Sequence, residues 1–168
     1  MSKIKYLVMD VDGTLTDGKI YMGNEGEVMK AFDIKDGYGI HDLLIPAGIE
    51  PVILTGRGSY IVMNRCKELG ISKIFQNVHN KLEELEKFVK GEGNSLNNVA
   101  YIGDDMNDAV CMKAVKEAGG VTGCPKDAII GIRRLSLFRS KRNGGNGAVR
   151  EFIEYILNNF NNLKYESY

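Results

Sequence analysis

Short apolar runs alternate along the chain with stretches whose apolar residues recur every three or four positions. The first run, Ile4–Val11, contains an unbroken apolar stretch and predicts a buried strand. Further runs predict strands at Pro51–Leu54 and Val99–Ile102. Two shorter runs, Ile20–Met22 and Val28–Phe32, flank Gly-Asn-Glu-Gly and predict a hairpin.

Helical periodicity occupies most of the intervals between these strands. The predicted helices carry apolar residues at three- and four-residue spacing, which is typical of a helix with one face against a core. They cover Tyr38–Ile45, Ser59–Leu69, Lys81–Val89, Asp105–Val115 and, after a loop at Gly144–Gly147, Ala148–Phe160. This alternation predicts parallel βαβ units in an α/β fold. The Asn-rich end beyond Phe160 is expected to fray.

Length, charge and cysteine content narrow the class of protein. With 168 residues, of which 43% are hydrophobic, the chain fits a single domain over residues 1–168. The 22 basic residues balance the 22 acidic ones, so no excess positive charge favours nucleic acid as a partner. Three cysteines without a C-x-x-C pair suit free thiols in a reducing compartment. No segment approaches the roughly 20 apolar residues that cross a bilayer. We therefore expect a cytoplasmic protein.

Two aspartates directly after the first strand carry the strongest chemical signal. Asp10 and Asp12 lie two residues apart, so in extended chain both carboxylates face the same side. One can attack phosphorus while the other protonates the leaving alkoxide and then activates water. Gly13 lets the chain turn sharply and bring backbone amides near a phosphate. An Asp-x-Asp turn alone, however, is more often a calcium-like loop or a polar turn.

Paired carboxylates beside a phosphate dianion need a cation to hold them together. Mg²⁺ prefers oxygen ligands and usually keeps several waters, with one or two carboxylates and substrate phosphate in its shell. Further carboxylates follow the strand at Val99–Ile102, at Asp104, Asp105 and Asp108. No local His or Cys cluster supports zinc. The sequence therefore favours magnesium. Asp108 is expected to orient a metal-bound water or a lysine, and Asp105 to cap a helix.

Four more residues complete this set in chemical terms. Thr55, Gly56, Arg57 and Lys81 offer a hydroxyl, close backbone approach and two cations for phosphoryl oxygens. Each is weak evidence alone. Polar residues at the carboxyl ends of successive parallel strands lie where open α/β sheets bind ligands, and this order strengthens the interpretation.

Four motifs in this order resemble those of the haloacid dehalogenase superfamily. They are Asp10-Val-Asp-Gly-Thr, Thr55-Gly-Arg, Lys81 and Gly103-Asp-Asp-x-x-Asp108. The resemblance implies a three-layer Rossmann-like parallel sheet. It implies Asp10 as nucleophile, Asp12 as acid and base, and Thr55 and Lys81 as phosphate ligands. It also implies Mg²⁺ held by Asp10, Asp104 and the carbonyl of Asp12.

Over almost its whole length the chain is similar to a narrower group, the 3-deoxy-D-manno-octulosonate 8-phosphate phosphatases, and to the module fused to some acylneuraminate cytidylyltransferases. The similar stretches are Asp10–Gly18, Lys30–Phe32, Lys35–Ile40, Arg65–Ile71 and Gly147–Glu151. That group lacks a large cap domain, and its four subunits assemble so that a hairpin encloses a neighbour's site. The resemblance thus implies a homotetramer with Lys19–Phe32 as a hairpin flap. It also implies hydrolysis of a small phosphorylated sugar acid through an aspartyl-phosphate intermediate.

The same resemblance implies a substrate site partly lined by arginines, which suit phosphate or a sugar carboxylate. Its residues are Asp12, Asp33, Ile34, Lys35, Asp36, Gly37, His41, Gly56, Arg57 and Arg65. His41 departs from the group, which commonly has arginine after Gly-Tyr-Gly-Ile. Ile129–Arg142 departs as well, because the group often has a short Asp-Tyr-Val-Thr strand there. The five basic residues of this segment either contact an anion or form a solvated loop.

Three alternative functions stay open. A nonulosonate 9-phosphate of the sialic-acid type would keep the chemistry and change the substrate, and His41 gives that option weight. A non-catalytic oligomerisation module is possible by analogy with the fused relatives, although the intact Asp10, Asp12, Lys81 and Asp104 argue against it. Phosphoryl transfer to a sugar is disfavoured by the lack of an evident cap insertion between the first two motifs.

Overall fold

A six-stranded sheet forms the centre of the protein, for which a computed structural model describes residues 4–160. The strands are β1 (Tyr6–Met9), β2 (Tyr21–Gly23), β3 (Gly26–Met29), β4 (Glu50–Leu54), β5 (Lys73–Phe75), β6 (Val99–Ile102), β7 (Val121–Cys124) and β8 (Phe138–Arg139). The sheet has the order β5-β4-β1-β6-β7-β8, and every neighbouring pair is parallel. The remaining strands, β2 and β3, form an antiparallel hairpin.

Helices cover both faces of this sheet. They are α1 (Ile34–Tyr38), which continues into a π-helical turn at Gly39–Leu44, α2 (Tyr60–Glu68), α3 (Lys81–Gly91), α4 (Met106–Glu117), α5 (Ile130–Leu135) and α6 (Ala148–Phe160). Alternate residues of β1 point to opposite faces: Leu7 and Met9 join the core under α2 and α6, while Tyr6 and Val8 join the core under α3, α4 and α5. The predicted three-layer parallel fold with a hairpin is confirmed, and the described chain between β1 and α1 holds no cap beyond that hairpin.

Local capping explains why several helices begin near their predicted starts. The side chains of Ser59, Asn80 and Asp105 accept hydrogen bonds from backbone N–H groups at the starts of α2, α3 and α4. Helix α6 has its predicted bounds. The helix predicted at Tyr38–Ile45 instead begins at Ile34, because Asp33 caps it by accepting from the N–H of Lys35 at 2.6 Å.

The predictions missed β5, β7, β8 and α5. The segment 129–142 is not a solvated loop, because Ile132 is fully buried and the Phe138 ring stacks on Tyr155 with centroids 4.8 Å apart. Two of its arginines bond backbone oxygens: Arg133 donates to the carbonyl of Lys126 and Arg139 to that of Arg133. The Asn-rich end beyond Phe160 lies outside the described residues.

All three cysteines are buried free thiols. Burial raises the pKa of Cys66 to about 11 and that of Cys111 to about 12, so both thiols stay protonated and pack as small apolar groups. Among the residues from 4 to 160, none of the helices has the length and apolar character that a bilayer span requires.

Phe152 of α6 anchors the layer beneath the carboxyl-terminal half of the sheet. It is fully buried, and a Cβ added at Gly123 of β7 would lie 2.7 Å from its ring. We predict that Phe152→Ala lowers the free energy of unfolding by about 3–5 kcal/mol, because it leaves a cavity. Urea denaturation measures the loss. Asn159→Ala, on the exposed face of the same helix, serves as the control, with an expected change below about 0.5 kcal/mol. Equal losses in the two variants would contradict this account of the core.

Candidate active site

Three neighbouring strands end at one edge of the sheet and deliver polar residues there. Asp10 follows β1, Thr55 follows β4 and Gly103 follows β6. Because β1 lies between β4 and β6 in a parallel sheet, these carboxyl ends meet. An open cleft of about 290 Å³ lies at this edge. It is lined by Asp10, Asp12, Gly18, Thr55, Gly56, Arg57, Asp104, Asp105 and Asn107. The structure therefore brings residues of three predicted motifs together.

Lys81, the first residue of α3, is the fourth predicted motif, and it also reaches this site. Its side chain is 3% exposed, and its Nζ donates to Asp10 Oδ1 and to Asp108 Oδ1, both at 2.8 Å. Burial on its own would lower the pKa of Lys81, but the two carboxylates outweigh burial and raise it. The ammonium therefore stays charged between the nucleophile candidate and a buried acid.

Asp108 is fully buried and uses both carboxylate oxygens. Oδ1 accepts from Lys81 and from the Tyr101 hydroxyl at 2.8 Å, while Oδ2 accepts from the backbone N–H of Asp104 at 3.1 Å. These contacts match the support role expected for Asp108. The cap expected from Asp105 is confirmed, since it accepts from the N–H of Met106 at 2.7 Å. Tyr101 was missed, although a tyrosine in an otherwise aliphatic strand before Gly-Asp-Asp is a usable signal.

A cluster of acidic oxygens lies at the base of the cleft. Asp10, Asp104 and Asp108 each place one carboxylate oxygen within 4.8 Å of the others. Burial, followed by repulsion from Asp108, raises the pKa of Asp10 to about 6, and burial followed by repulsion from Asp10 raises that of Asp104 to about 7. A divalent cation with a preference for oxygen fits this set, because it would relieve the repulsion.

Asp10 and Asp104 are the better ligand candidates within this cluster, since the oxygens of Asp108 already have donors. Thr14 orients Asp104 by donating from Oγ1 to Oδ1 at 3.1 Å. Gly13 permits this approach: an added Cβ would lie 2.1 Å from Asp104 Oδ2. The predicted ligation by the carbonyl of Asp12 stays a prediction.

Asp12 has a cation near each of its carboxylate oxygens. Lys30, from the segment after the hairpin, pairs with Oδ1, and the Nε of Arg57 lies 3.8 Å from Oδ2. Lys30 is 1% exposed and also pairs with Glu27 Oε1 at 2.9 Å. The other oxygen of Glu27 accepts from Ser59 Oγ at 2.6 Å. The hairpin is thereby tied to the loop after β4. Lys30 was missed as a site residue, although its Lys-Ala-Phe stretch was part of the resemblance.

The residues of α1 predicted to bind substrate lie outside the cleft lining. Asp36 is 1% exposed and accepts from the N–H groups of Gly147 at 3.3 Å and Arg150 at 2.7 Å. Burial raises its pKa to about 6. In this structure Asp36 thus holds the start of α6 against α1. The substrate contacts predicted for Asp33, Ile34, Lys35, Asp36 and Gly37 stay predictions.

Two further residues that were predicted to bind substrate, Arg65 and His41, also lie outside the cleft lining of their own chain. Arg65 pairs with Glu68 at 2.8 Å and lies 5.9 Å above the ring of Phe32. His41 is exposed, and its Nδ1 lies 3.3 Å from Asp42. Of the predicted arginines, Arg57 is therefore the one that lines the cleft. Substrate contacts of Arg65 and His41 stay predictions.

Comparison with known proteins places this site in a family. No protein-family model matches the sequence. A curated relative, the 3-deoxy-D-manno-octulosonate 8-phosphate phosphatase of Escherichia coli (strain K12), is 40% identical over 154 residues, which cover 92% of this chain and 79% of the relative.

Two solved structures are similar in both fold and sequence. The phosphatase of the same name from Moraxella catarrhalis, solved with a magnesium ion, a phosphate ion and a KDO molecule, has a TM-score of 0.87, 41% identity, and coverage of 95% of this chain and 89% of that one. The cobalt-bound deoxy-D-mannose-octulosonate 8-phosphate phosphatase from Haemophilus influenzae has a TM-score of 0.88, 32% identity, and coverage of 98% and 94%. The chain therefore belongs to the 3-deoxy-D-manno-octulosonate 8-phosphate phosphatase family, within the haloacid dehalogenase superfamily.

Proposed function

We propose that the protein is a magnesium-dependent phosphatase that hydrolyses 3-deoxy-D-manno-octulosonate 8-phosphate through an aspartyl-phosphate at Asp10. The position of Asp10 supports this most directly: its carboxylate lies in the cleft, 2.8 Å from the Lys81 ammonium and beside Asp104. A phosphoryl group at this point would meet a nucleophile, a cation and a metal-binding carboxylate together.

The described residues divide the work of two displacement steps. In the first, a carboxylate oxygen of Asp10 forms a bond to phosphorus, the bond to the sugar oxygen breaks, and Asp12 gives that oxygen a proton. In the second, Asp12 takes a proton from water as the water oxygen attacks phosphorus and releases Asp10 and phosphate. Lys81 and Thr55 bind phosphoryl oxygens. Asp10, Asp104 and the carbonyl of Asp12 would hold Mg²⁺, which would supply positive charge next to the phosphoryl group.

The sugar-acid part of the proposal has separate support. The related Moraxella catarrhalis structure contains magnesium, phosphate and a KDO molecule, and the chain is 41% identical to it. At the rim of the cleft, Arg57 is half exposed, and its fork of donors suits a second anionic group on the substrate. Three buried, free cysteines support a cytoplasmic location.

Replacing the nucleophile tests the chemistry and the substrate class together. We expect Asp10→Asn to reduce phosphate release by at least about a thousandfold, because an amide cannot form the aspartyl-phosphate. Phosphate release is measured with Mg²⁺ from octulosonate 8-phosphate, nonulosonate 9-phosphates and hexose phosphates. Glu117→Gln, which neutralises an exposed carboxylate on α4 outside the cleft, is the matched control and keeps wild-type activity.

Each other pattern of release has a distinct meaning. A preference for a nonulosonate 9-phosphate would replace the proposed substrate but keep the chemistry. Even, weak release across the panel would refute the sugar-acid specificity. No release from any compound would favour the assembly module, and transfer of phosphate to an added sugar acceptor would identify a transferase.

Lys30 gives a second test, directed at the acid and base. Its ammonium is buried against Asp12 and fixes that carboxylate, so we expect Lys30→Met to lower kcat about tenfold while KM changes less. Lys30→Arg keeps the charge and restores part of the loss. The matched control is Lys113→Met, since Lys113 is 66% exposed on α4. Steady-state kinetics measure kcat and KM for each variant. An unchanged kcat in Lys30→Met would show that Lys30 does not position Asp12 for catalysis.

We further propose that four copies of the chain assemble through the hairpin. Met22, Val28 and Met29 expose 63%, 60% and 52% of their surface on β2 and β3. A two-stranded hairpin that exposes so much apolar surface is marginal in water and gains from a partner. The open cleft also needs walls for selective binding of a small sugar, and a neighbouring hairpin can supply them.

Charged substitutions on the hairpin test the assembly. The double variant Met22→Glu with Val28→Glu is expected to shift the tetramer to smaller species in light scattering coupled to size-exclusion chromatography, because four subunits would each bury two carboxylates. Leu137→Glu, at a similarly exposed apolar position (58%) beside β8, should leave the mass unchanged. A monomeric wild-type protein would refute the tetramer directly.

A further inference from the structure

A glycine turn near the carboxyl-terminal helix presses against the loop that follows Asp10. We call residues 11–17, from Val11 to Asp17, the nucleophile loop. A Cβ added at Gly144 would lie 1.8 Å from the carbonyl oxygen of Gly13, which no side chain can tolerate. The next residue, Gly145, donates its N–H to the carbonyl of Thr14 at 3.0 Å. The turn and the nucleophile loop are therefore in backbone contact.

Thr14 connects this contact to a metal-binding carboxylate. Its carbonyl accepts from Gly145, and its hydroxyl donates to Asp104 Oδ1 at 3.1 Å. The neighbouring Gly13 lies between the turn and the same carboxylate, since its own added Cβ would lie 2.1 Å from Asp104 Oδ2. A displacement of the turn toward the loop thus acts on residues that contact Asp104 directly.

The turn cannot easily move away, because it is held on several sides. The N–H of Gly144 donates to Asp127 Oδ1 at 3.0 Å, and the N–H of Lys141 donates to Glu151 Oε2 at 2.8 Å. On the far side, the N–H of Gly147 donates to the buried carboxylate of Asp36. Added bulk at Gly144 would therefore either displace the nucleophile loop or pull the N–H of Gly145 away from Thr14, and both movements act on Thr14.

We propose that the Gly144–Gly145 turn is a positioning element for the metal site, which sets the placement of Thr14 and Gly13 and through them the orientation of Asp104. This role rests on the metal site of the phosphatase proposed above. It affects metal affinity, which does not depend on the identity of the substrate. Partners that orient a ligand carboxylate typically change metal affinity about 10- to 100-fold when they are altered.

Isothermal titration of Mg²⁺ into the full chain, without substrate, is the test. We expect Gly144→Ala to weaken Mg²⁺ binding by at least about tenfold. Gly91→Ala is the matched control, because Gly91 in α3 has open space around its missing Cβ and should keep the wild-type affinity. Asp127→Ala removes the acceptor for Gly144 without adding bulk, at an exposed position, and should weaken binding about fivefold. Circular dichroism checks that each variant is folded.

The outcomes separate this inference from the proposed function. A folded Gly144→Ala whose Mg²⁺ affinity stays within about twofold of wild type overturns the positioning role. Where Gly144→Ala does not fold, Asp127→Ala decides, and an affinity within about twofold of wild type again overturns it. If both variants weaken Mg²⁺ binding while the wild type releases no phosphate from any sugar acid, the positioning role stands and the proposed function fails.

Discussion

Asp10, Asp104 and Asp108 place three carboxylates close together, and two of them, Asp10 and Asp108, bind the buried ammonium of Lys81. Burial and mutual repulsion raise the pKa of Asp10 and of Asp104, so a single cation does not balance the cluster. Unpaired buried charge is costly, and such a cluster persists only where donors and cations compensate it. The surrounding residues do so in part: Tyr101 and the backbone N–H of Asp104 donate to Asp108. The remaining imbalance fits the binding of a divalent cation at this cluster.

The parallel sheet explains how residues so far apart in sequence reach this cluster. Strand β1 pairs with β4 and β6 in registers that align Met9 with Ile53 and with Ile102, so the chain leaves all three strands at the same level. Glycine then allows contacts that a side chain would block. At Gly103 an added Cβ would lie 2.4 Å from Asp108, just as one at Gly13 would meet Asp104. The site is thus compact because the glycine backbone lies directly against the carboxylates of Asp104 and Asp108.

Local signals made part of this arrangement predictable from the sequence. Apolar runs followed by polar residues located the strand ends that line the cleft, and apolar periodicity located the start of α2 to within a residue. Strands β5 and β8 escaped prediction because three and two residues hold too little periodicity. Lys30 was missed as a site residue, and the contact of Asp36 with α6 was not predicted, because the partners of both residues are set by tertiary structure. The carboxylate of Asp36 meets a helix start that lies 111 residues further along the chain.

The hairpin connects exposed surface of the molecule to Asp12 in the cleft. Met22 and Val28 of the hairpin are exposed, while Glu27 contacts Ser59, and Lys30 contacts Asp12. An isolated two-stranded hairpin has little stability of its own, so these inner contacts hold it in place on the described chain. A subunit that covers the exposed residues would restrict the same hairpin further. Since Lys30 pairs with one oxygen of Asp12, enclosure of a neighbour's cleft and placement of Asp12 in the chain's own cleft would then depend on the same segment.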